Sequence, residues 1–158
     1  MEKRIIIVGK GGSGKDLLKN RFIEKGYKPS VSITTRAPRN GEVYGEDYYF
    51  CSLEQFQEKI DSNNFFEYKE FRGWFYGTTK EEFNKSDIFI MTPPAIKELS
   101  KEIRDSSFVI FIDIEEGIRS KRLSNRNDVD DVTRRIVTDR VLFEYFTDYD
   151  LRITDPNF

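Results

Sequence analysis

The sequence contains no histidine and only one cysteine, Cys51, in 158 residues. Without histidine, imidazole acid–base catalysis and histidine metal ligands are excluded. One cysteine cannot form a disulfide framework or a cysteine-based zinc site. The longest apolar runs, such as residues 108–112, are far too short to span a bilayer, and the charged N-terminus lacks a secretory apolar segment. We therefore expect a soluble, cytoplasmic protein with no membrane partner.

Excess positive charge is also missing, because 26 Lys and Arg residues stand against 28 Asp and Glu residues, for a net charge of −2. This balance excludes a generically basic protein that binds a nucleic acid polymer, so any anion site must be local. Aromatic residues make up 15% of the chain, enough to fill the core of one domain. We expect a single domain over residues 1–158, as a monomer or small homo-oligomer.

Short apolar runs that alternate with helical patterns predict an α/β domain. The predicted strands are residues 4–8, 88–91, 108–112 and 151–153, and the predicted helices are residues 14–25, 93–104, 116–125 and 130–146. Residues 30–80 differ, because Ser, Thr, Gly, Pro and Tyr dominate and turn signals recur. We interpret this region as an insertion into the α/β core. It contains one short predicted helix over residues 53–60, whose Ser52 and Gln55 fit a capping box.

A glycine-rich segment from Gly9 to Lys15 fits G-x-x-x-x-G-K, the pattern of a phosphate-binding P-loop. It follows a predicted strand and opens a predicted helix, which is the context that the pattern needs. Glycines let backbone N–H groups turn around an anion, and the helix N-terminus favours its charge. We therefore expect an ATP site whose catalytic lysine is Lys15. The expected ATP-binding residues are Gly9, Gly11, Gly12, Ser13, Gly14, Lys15 and Asp16.

Asp16 departs from the P-loop pattern, which has Ser or Thr after the lysine as a ligand for Mg²⁺. A carboxylate is a hard oxygen ligand that also suits Mg²⁺, so Asp16 is the predicted metal residue and Mg²⁺ the predicted cofactor of ATP. The alternative is a carboxylate that only stabilises the start of the helix through the helix dipole. The sequence leaves both interpretations open.

A second anion site is predicted in residues 32–42, where Arg36 and Arg39 lie three positions apart beside hydroxyl side chains. Two guanidinium groups, together with Ser and Tyr hydroxyls, can bind one phosphate dianion. A solvated basic loop is the alternative for this segment taken alone.

From Ser32 to Tyr48 the chain matches S-x-T-T-R-x-P-R-x-G-E-x-x-G-x-D-Y, and here it resembles the guanylate kinase family. Residues 65–68 and 74–78 are similar to two further elements of that family, and the resemblance extends from the P-loop to residue 155. It implies ATP-dependent phosphorylation of GMP or dGMP. By this resemblance the GMP-binding residues are Ser32, Arg36, Arg39, Tyr48 and Tyr76 for the phosphate, and Glu67 and Thr78 for guanine.

Guanine presents adjacent N1–H and N2–H₂ donors, which one carboxylate, Glu67, can accept together; adenine lacks this pair. The family's Asp-x-Asp at the end of the next core strand is absent, since residues 91–93 are Met-Thr-Pro. Base selectivity would therefore rest more heavily on Glu67, and metal positioning on Asp16.

Arginines are concentrated in residues 118–140, and this segment resembles the lid of the family. By that resemblance Arg122, Arg126 and Arg135 are catalytic residues that close over the triphosphate and the transferred phosphoryl group, whose equatorial oxygens gain charge. The alternative is an exposed helix face with i,i+4 ion pairs.

The predicted architecture is a P-loop NTPase-type α/β fold with a parallel sheet core and helices on both faces. The core comprises residues 1–29, 83–118 and 140–158, the inserted mixed-β NMP-binding region residues 30–82, and a small helical lid about residues 119–139. Two alternatives to a GMP kinase stay open. One is a kinase for another or modified (deoxy)nucleoside monophosphate, and the other is a catalytically silent guanylate-kinase-like module that binds phosphoproteins. The P-loop and the lid arginines favour an enzyme, whereas the missing Asp-x-Asp weakly favours the module.

Overall fold

The computed structural model describes residues 3–126 and 131–158, so residues 1–2 of the predicted core and 127–130 of the predicted lid lie outside the described residues. The elements in chain order are β1 (Arg4–Gly9), α1 (Lys15–Glu24), β2 (Ile33–Thr34), β3 (Tyr49–Phe50), α2 (Leu53–Asp61), β4 (Phe65–Phe71), β5 (Trp74–Thr79), α3 (Lys80–Lys85), β6 (Ile88–Ile90), α4 (Pro93–Lys97), α5 (Lys101–Asp105), β7 (Ser107–Ile112), α6 (Glu116–Ser124), α7 (Val132–Phe143) and β8 (Leu151–Ile153). The described chain divides into two compact units. Residues 3–29, 87–126 and 131–158 form the first unit, and residues 30–86 form the second.

The first unit is built on a parallel sheet with strand order β6–β1–β7–β8. β1 is a run of β-branched residues that is buried almost throughout, which is typical of a central parallel strand. Gly9 at the end of β1 pairs with Ile112 at the end of β7, so the loops that follow these two strands begin at the same edge of the sheet. All four strands predicted for the α/β core are confirmed.

Helices cover both faces of this sheet, because successive side chains of a strand point to opposite sides. Leu18 and Phe22 of α1 pack on the face that carries Ile112. Phe111 belongs to the other face, where its ring stacks on Phe143 of α7 at a centroid distance of 5.6 Å. The predicted layering of a parallel sheet between helices is therefore confirmed.

Two helices differ from the sequence prediction. The predicted helix over residues 93–104 is wrong, because the chain forms α4 and α5 instead: the Ser100 side chain caps the first turn of α5 and so starts a new helix. α7 begins after Asp131, whose side chain caps its first turn, and it ends at Phe143, before the predicted end at residue 146. No helix within the described ranges is long and apolar enough to cross a membrane.

The second unit contains a small mixed sheet with strand order β3–β2–β5–β4. β2 and β3 are parallel, whereas β5 is antiparallel to both of its neighbours. Phe56 of α2 is fully buried and stacks on Phe65 of β4 with 4.6 Å between ring centroids, which holds the helix on the sheet. The predicted capping box is confirmed, because Ser52 and Gln55 each accept a hydrogen bond from the other's backbone N–H.

Candidate functional site

The phosphate loop, defined here as residues 9–14, connects the end of β1 to the start of α1. Gly12 and Gly14 have φ values of 76° and 100°, in the left-handed region that glycine adopts without strain. A Cβ on Gly12 would also lie 2.8 Å from the Arg119 carbonyl oxygen, so a larger residue does not fit there. The first turn of an α-helix has backbone N–H groups without intrahelical acceptors, and in α1 this turn follows the loop directly. The loop therefore has the form of an anion site.

Lys15, the predicted catalytic lysine, folds back over this loop. Its Nζ donates to the Gly9 carbonyl oxygen at 2.6 Å and to the Lys10 carbonyl oxygen at 3.3 Å. Ser13 is buried, and within the part of the chain that the structure describes its hydroxyl has no hydrogen-bond partner. The loop therefore combines a held ammonium group with a buried hydroxyl that a phosphate oxygen could engage. The ATP-binding roles of these residues stay predictions.

Asp16 lies in the first turn of α1 with 78% of its side chain exposed, and it forms an ion pair with Lys19 at 3.2 Å. Crowding by the surrounding chain removes part of its water and raises the pKa of the carboxyl group, but Lys19, Lys15 and Arg126 outweigh this effect and hold the pKa below its usual value. An ionised carboxylate that reaches solvent fits Mg²⁺, which keeps several waters. No group of three or more acidic, Cys or His side chains forms a metal site among residues 3–126 and 131–158.

Arg122 is the predicted lid arginine with the clearest contact to the phosphate loop. Its Nη1 donates to the Gly12 carbonyl oxygen at 3.1 Å, and its Nη2 donates to the Pro156 carbonyl oxygen at 2.9 Å. These bonds tie α6 to the loop and to the segment after β8. The structure thus places Arg122 beside the predicted ATP residues.

The other two lid arginines also lie in the first unit. Arg126 lies close enough to Asp16 for its charge to lower the carboxyl pKa. Arg135 is buried in α7, and a Cβ on Gly11 would lie 3.4 Å from its Nη2. The structure therefore brings Arg135 against the phosphate loop, whereas action on a transferred phosphoryl group stays a prediction for all three arginines.

Two buried charged residues beside the loop, Arg119 and Asp139, are not among the predicted site residues, and each is 2% exposed. The Asp139 carboxylate accepts from the Gly11 amide at 2.8 Å, while Arg119 donates to the Gly11 carbonyl oxygen at 3.4 Å and to the Ile114 carbonyl oxygen at 2.8 Å. Burial lowers the pKa of Arg119, and the negative charge of Asp139 opposes that shift. One sequence signal pointed to Asp139: it follows Arg135 by four residues, the spacing of an ion pair on a helix.

Arg36, a predicted phosphate ligand, is buried in the second unit and bound to a carboxylate. Its two Nη atoms donate to the two Glu42 oxygens at 2.9 and 3.0 Å, and the Arg39 amide donates to the same carboxylate at 2.6 Å. Burial opposes ionisation of both partners, but the charged hydrogen bonds prevail, so the pKa of Arg36 is raised and the pKa of Glu42 is lowered. Thr34 fixes the backbone here, because its hydroxyl accepts from the Arg36 amide at 3.1 Å.

Glu42 is thus a functional candidate that is not among the predicted site residues, although it belongs to the motif from Ser32 to Tyr48. A loop carboxylate six residues after an arginine has no periodic signal, so the ion pair could be found only in the folded chain. The Glu42 carboxylate orients the guanidinium of Arg36 and also accepts a hydrogen bond from the Arg39 amide, so it holds both arginines in one segment.

The hydroxyl-bearing residues predicted to bind the GMP phosphate, Ser32, Tyr48 and Tyr76, lie in this same unit. The Tyr48 ring lies 5.2 Å from the Arg36 guanidinium carbon and 6.0 Å from the Tyr76 ring. Ser32 comes directly before β2, and its carbonyl oxygen accepts from the Tyr49 amide at 2.9 Å. The structure therefore brings Arg36, Tyr48 and Tyr76 together, and it places Ser32 at the start of the same sheet.

The two predicted guanine contacts, Glu67 and Thr78, are brought together by the β4–β5 hairpin. Arg72 and Gly73 form its turn, with φ values of 55° and 88° as a type I′ turn requires. The resulting register sets Glu67 opposite Thr78, and the Thr78 hydroxyl donates to Glu67 Oε1 at 3.1 Å. This bond orients the carboxylate, which is the group that could accept two donors from a base edge.

Comparison with known proteins gives a consistent result. The family model described as guanylate kinase matches residues 1–158. A guanylate kinase of Porphyromonas gingivalis is 33% identical over 171 residues, covering 99% of this chain and 90% of its own, and one of Clostridium tetani is 37% identical over 136 residues, covering 65% of this chain. The chain matches 64% of the length of the Clostridium tetani protein.

A solved structure of a guanylate kinase has the same fold as this chain. The guanylate kinase crystal structure from Anaplasma phagocytophilum superposes with a TM-score of 0.70 at 22% sequence identity, covering 99% of this chain and 79% of that one. Its likeness shows the fold, and the family model together with the Porphyromonas gingivalis relative shows the family. The chain described here therefore belongs to the guanylate kinase family.

Proposed function

We propose that this protein is a nucleoside monophosphate kinase that transfers the γ-phosphoryl group of ATP to GMP or dGMP. A phosphate oxygen of the acceptor attacks the γ-phosphorus, the bond to the ADP oxygen breaks, and the products are ADP and GDP or dGDP. The attacking oxygen carries no proton that must be removed, so the lack of histidine is no obstacle. The observation that carries the proposal is the oriented Glu67–Thr78 pair in a chain that also has a phosphate loop with Lys15.

The donor side uses the phosphate loop. The backbone N–H groups at the start of α1 bind phosphate oxygens, and Lys15 exchanges the carbonyl oxygens of Gly9 and Lys10 for the β- and γ-phosphates. The buried Ser13 hydroxyl gains a partner in the same step. These contacts orient the triphosphate for in-line transfer.

The acceptor side uses the second unit. Arg36, held by Glu42, and Arg39 bind the GMP phosphate together with the hydroxyl groups of Ser32, Tyr48 and Tyr76. Glu67 accepts from guanine N1–H and N2–H₂, and Thr78 holds its carboxylate in place. Adenine would leave the half-buried Glu67 carboxylate without these two donors, so AMP should be a poor substrate.

Charge that builds up on the transferred group is stabilised by arginines. Arg122, Arg126 and Arg135 close over the phosphates and exclude water, so that ATP is not hydrolysed before the acceptor binds. Asp16 would hold Mg²⁺ when ATP is bound, and the ion would supply positive charge that offsets the negative charge of the phosphates. Asp16 can do so because its carboxylate is ionised and open to solvent.

We place the protein in the cytoplasm, as a monomer or small homo-oligomer that acts on mononucleotides and not on nucleic acid polymers. The core of residues 1–29, 83–118 and 140–158 binds ATP, the insertion of residues 30–82 binds GMP, and a lid of about residues 119–139 closes. Light scattering of the purified protein after size-exclusion chromatography tests the oligomeric state.

A coupled ADP-release assay with a panel of nucleoside monophosphates tests the function. GMP and dGMP should give the highest kcat/KM, and AMP, CMP and UMP should be slower by about 100-fold or more, as expected where a site is built to bond a specific donor pair. If a different or modified monophosphate gave a higher kcat/KM than GMP, that compound would be the acceptor, and the proposal of GMP would be wrong. GMP binding without ADP release for any acceptor would instead identify a silent binding module.

A further inference from the structure

Asp139 is a buried carboxylate beside the phosphate loop that has no part in the transfer described above. It belongs to α7, yet its Oδ2 accepts a hydrogen bond from the Gly11 amide at 2.8 Å, across 128 residues of sequence. Asp139 is only 2% exposed, so water does not compete for this bond. A charged acceptor in such a place makes a strong bond and fixes the direction of the amide.

The Gly11 peptide is held from two elements at once. Asp139 of α7 accepts from its N–H, and Arg119 of α6 donates to its carbonyl oxygen at 3.4 Å. The next residue, Gly12, is held as well, because its carbonyl oxygen accepts from Arg122 at 3.1 Å. The middle of the phosphate loop is therefore held by charged side chains of α6 and α7.

Arg135 lies one helical turn before Asp139 and approaches the same glycine. A Cβ on Gly11 would lie 3.3 Å from Asp139 Oδ2 and 3.4 Å from Arg135 Nη2. Both side chains thus pack against Gly11 from the side where any other residue would carry its Cβ. A carboxylate among the buried arginines Arg119 and Arg135 also offsets positive charge that would be costly to leave unbalanced.

We propose that Asp139 is a positioning residue for ATP binding: it fixes the Gly11 peptide and keeps Arg119 and Arg135 charge-balanced against the phosphate loop. With Gly11 fixed, the loop amides that follow keep their direction toward the phosphates. Asp139 acts through the loop and the two arginines and contacts no reacting atom. The inference rests on the proposed ATP site and is independent of which monophosphate is the acceptor.

Calorimetric titration with ATP and, separately, with GMP tests this role. Asp139→Ala removes the acceptor and the charge, so the Kd for ATP should rise about 10- to 100-fold, as for the loss of a hydrogen bond to a charged group. The Kd for GMP should change by less than about twofold, because the proposed GMP ligands belong to the second unit and Asp139 to the first. Asp139→Asn keeps an oxygen that can accept from Gly11 but loses the charge, so its ATP Kd should rise only about 3- to 10-fold.

Asp150 supplies a matched control in the same unit. It also accepts from a backbone amide, that of Val109 at 2.8 Å, and pairs with an arginine, Arg104, at 3.1 Å. Val109 lies in the first half of β7, whereas the phosphate loop follows the end of β1 that pairs with the end of β7. Asp150→Asn should lower the melting temperature and leave the Kd for ATP within about twofold of wild type.

The titrations are made well below the melting temperature of each variant. A variant at position 139 that melts earlier but binds ATP as wild type does would overturn the proposal, since only a structural role would remain. If Asp139→Ala does not fold, Asp139→Asn decides by the same criterion. A wild-type protein that binds ATP but phosphorylates no acceptor would overturn the proposed function alone, and one that binds no ATP would overturn both.

Discussion

The arginines at the two predicted anion sites of this protein are oriented in different ways. Beside the phosphate loop, Arg119 and Arg122 donate to backbone carbonyl oxygens, so the bonds determine the shape of the loop. In the second unit, Arg36 donates to the carboxylate of Glu42, so the bonds determine the direction of the guanidinium itself. Substitutions of Arg119 or Arg122 should therefore weaken ATP binding by changing the backbone of the loop. Substitution of Glu42 should weaken GMP binding by releasing the side chain of Arg36.

The sharpest way to separate the two sites is to remove Lys15. Lys15→Ala should lower kcat about 100-fold or more, because the γ-phosphate loses a charged donor when its negative charge is redistributed. The Kd for GMP should stay within about twofold of wild type, since Lys15 contacts carbonyl oxygens of the phosphate loop and belongs to the first unit. ADP release gives kcat, and calorimetry gives the Kd.

Lys101→Ala is the matched control for that experiment, because this lysine forms an exposed pair with Asp105 on α5. It should leave kcat unchanged, as exposed pairs contribute little. A Kd for GMP that rises in Lys15→Ala as steeply as kcat falls would contradict the assignment of two separate sites.

Within the second unit, Glu67 should decide which base is accepted. Glu67→Gln replaces one acceptor by a donor that faces a guanine donor, and unpaired buried groups of this kind cost about 1–3 kcal/mol. The ratio of kcat/KM for GMP over AMP should therefore fall about 10- to 100-fold. The same change at Glu70, exposed on the same strand, should leave the ratio alone. An unaltered ratio in Glu67→Gln would mean that guanine is recognised by other residues.

Substitution of Glu42 tests whether a carboxylate orients Arg36 for GMP binding in the second unit. Glu42→Gln keeps one acceptor but removes the charge and one of the two parallel bonds to Arg36, so the Kd for GMP should rise about tenfold. The Kd for ATP should not change. Glu46→Gln, an exposed substitution in the same segment, is the control for a nonspecific effect of lost charge. An equal loss of GMP affinity in both variants would contradict a specific role for Glu42.

The same variant has a defined pH dependence. Because folding lowers the pKa of Glu42 from 4.5, its contribution to stability is present above that value and is lost as the pH falls through the folded-state pKa. The free energy of unfolding should therefore be about 1–3 kcal/mol lower for Glu42→Gln than for wild type at pH 7. This gap should narrow below about pH 4.5. Urea unfolding of both proteins from pH 7 to pH 3 measures it.

The contrast between the sites also shows what a sequence can predict. Glycine positions and continuous apolar runs are local properties of the chain, so they predict the four core strands and the strand–loop–helix arrangement around residues 9–14, and the structure confirms both. Phosphate binding by this loop stays a prediction. The predicted helix over residues 93–104 is wrong at Ser100, because its side chain accepts a hydrogen bond from the Ile103 amide and so starts a new helix. The Asp139–Gly11 bond and the Arg36–Glu42 pair depend on tertiary contact or on an irregular loop, where no period exists to detect them.

Substitution of Asp16 should change the kinetics least among these variants. Asp16 is a solvent-exposed carboxylate of the first site, in contrast to the buried Asp139. If it holds Mg²⁺, Asp16→Ala should raise the Mg²⁺ concentration for half-maximal rate about 3- to 10-fold, with waters taking the lost position. Asp16→Ser should recover part of this, because a hydroxyl is the usual ligand after the P-loop lysine. Rates measured over a magnesium titration at saturating ATP and GMP give the midpoint for each variant.

Lys19 provides the control that separates metal binding from support of the helix. Lys19→Ala removes the ion pair at 3.2 Å but leaves the carboxylate of Asp16 in place, so it should lower the melting temperature without raising the magnesium midpoint. A carboxylate that only favoured the start of α1 would contribute about 0.3–1 kcal/mol to stability. On that view Asp16→Ala and Lys19→Ala would both melt earlier and would share the wild-type midpoint, and this result would exclude Asp16 as a metal ligand.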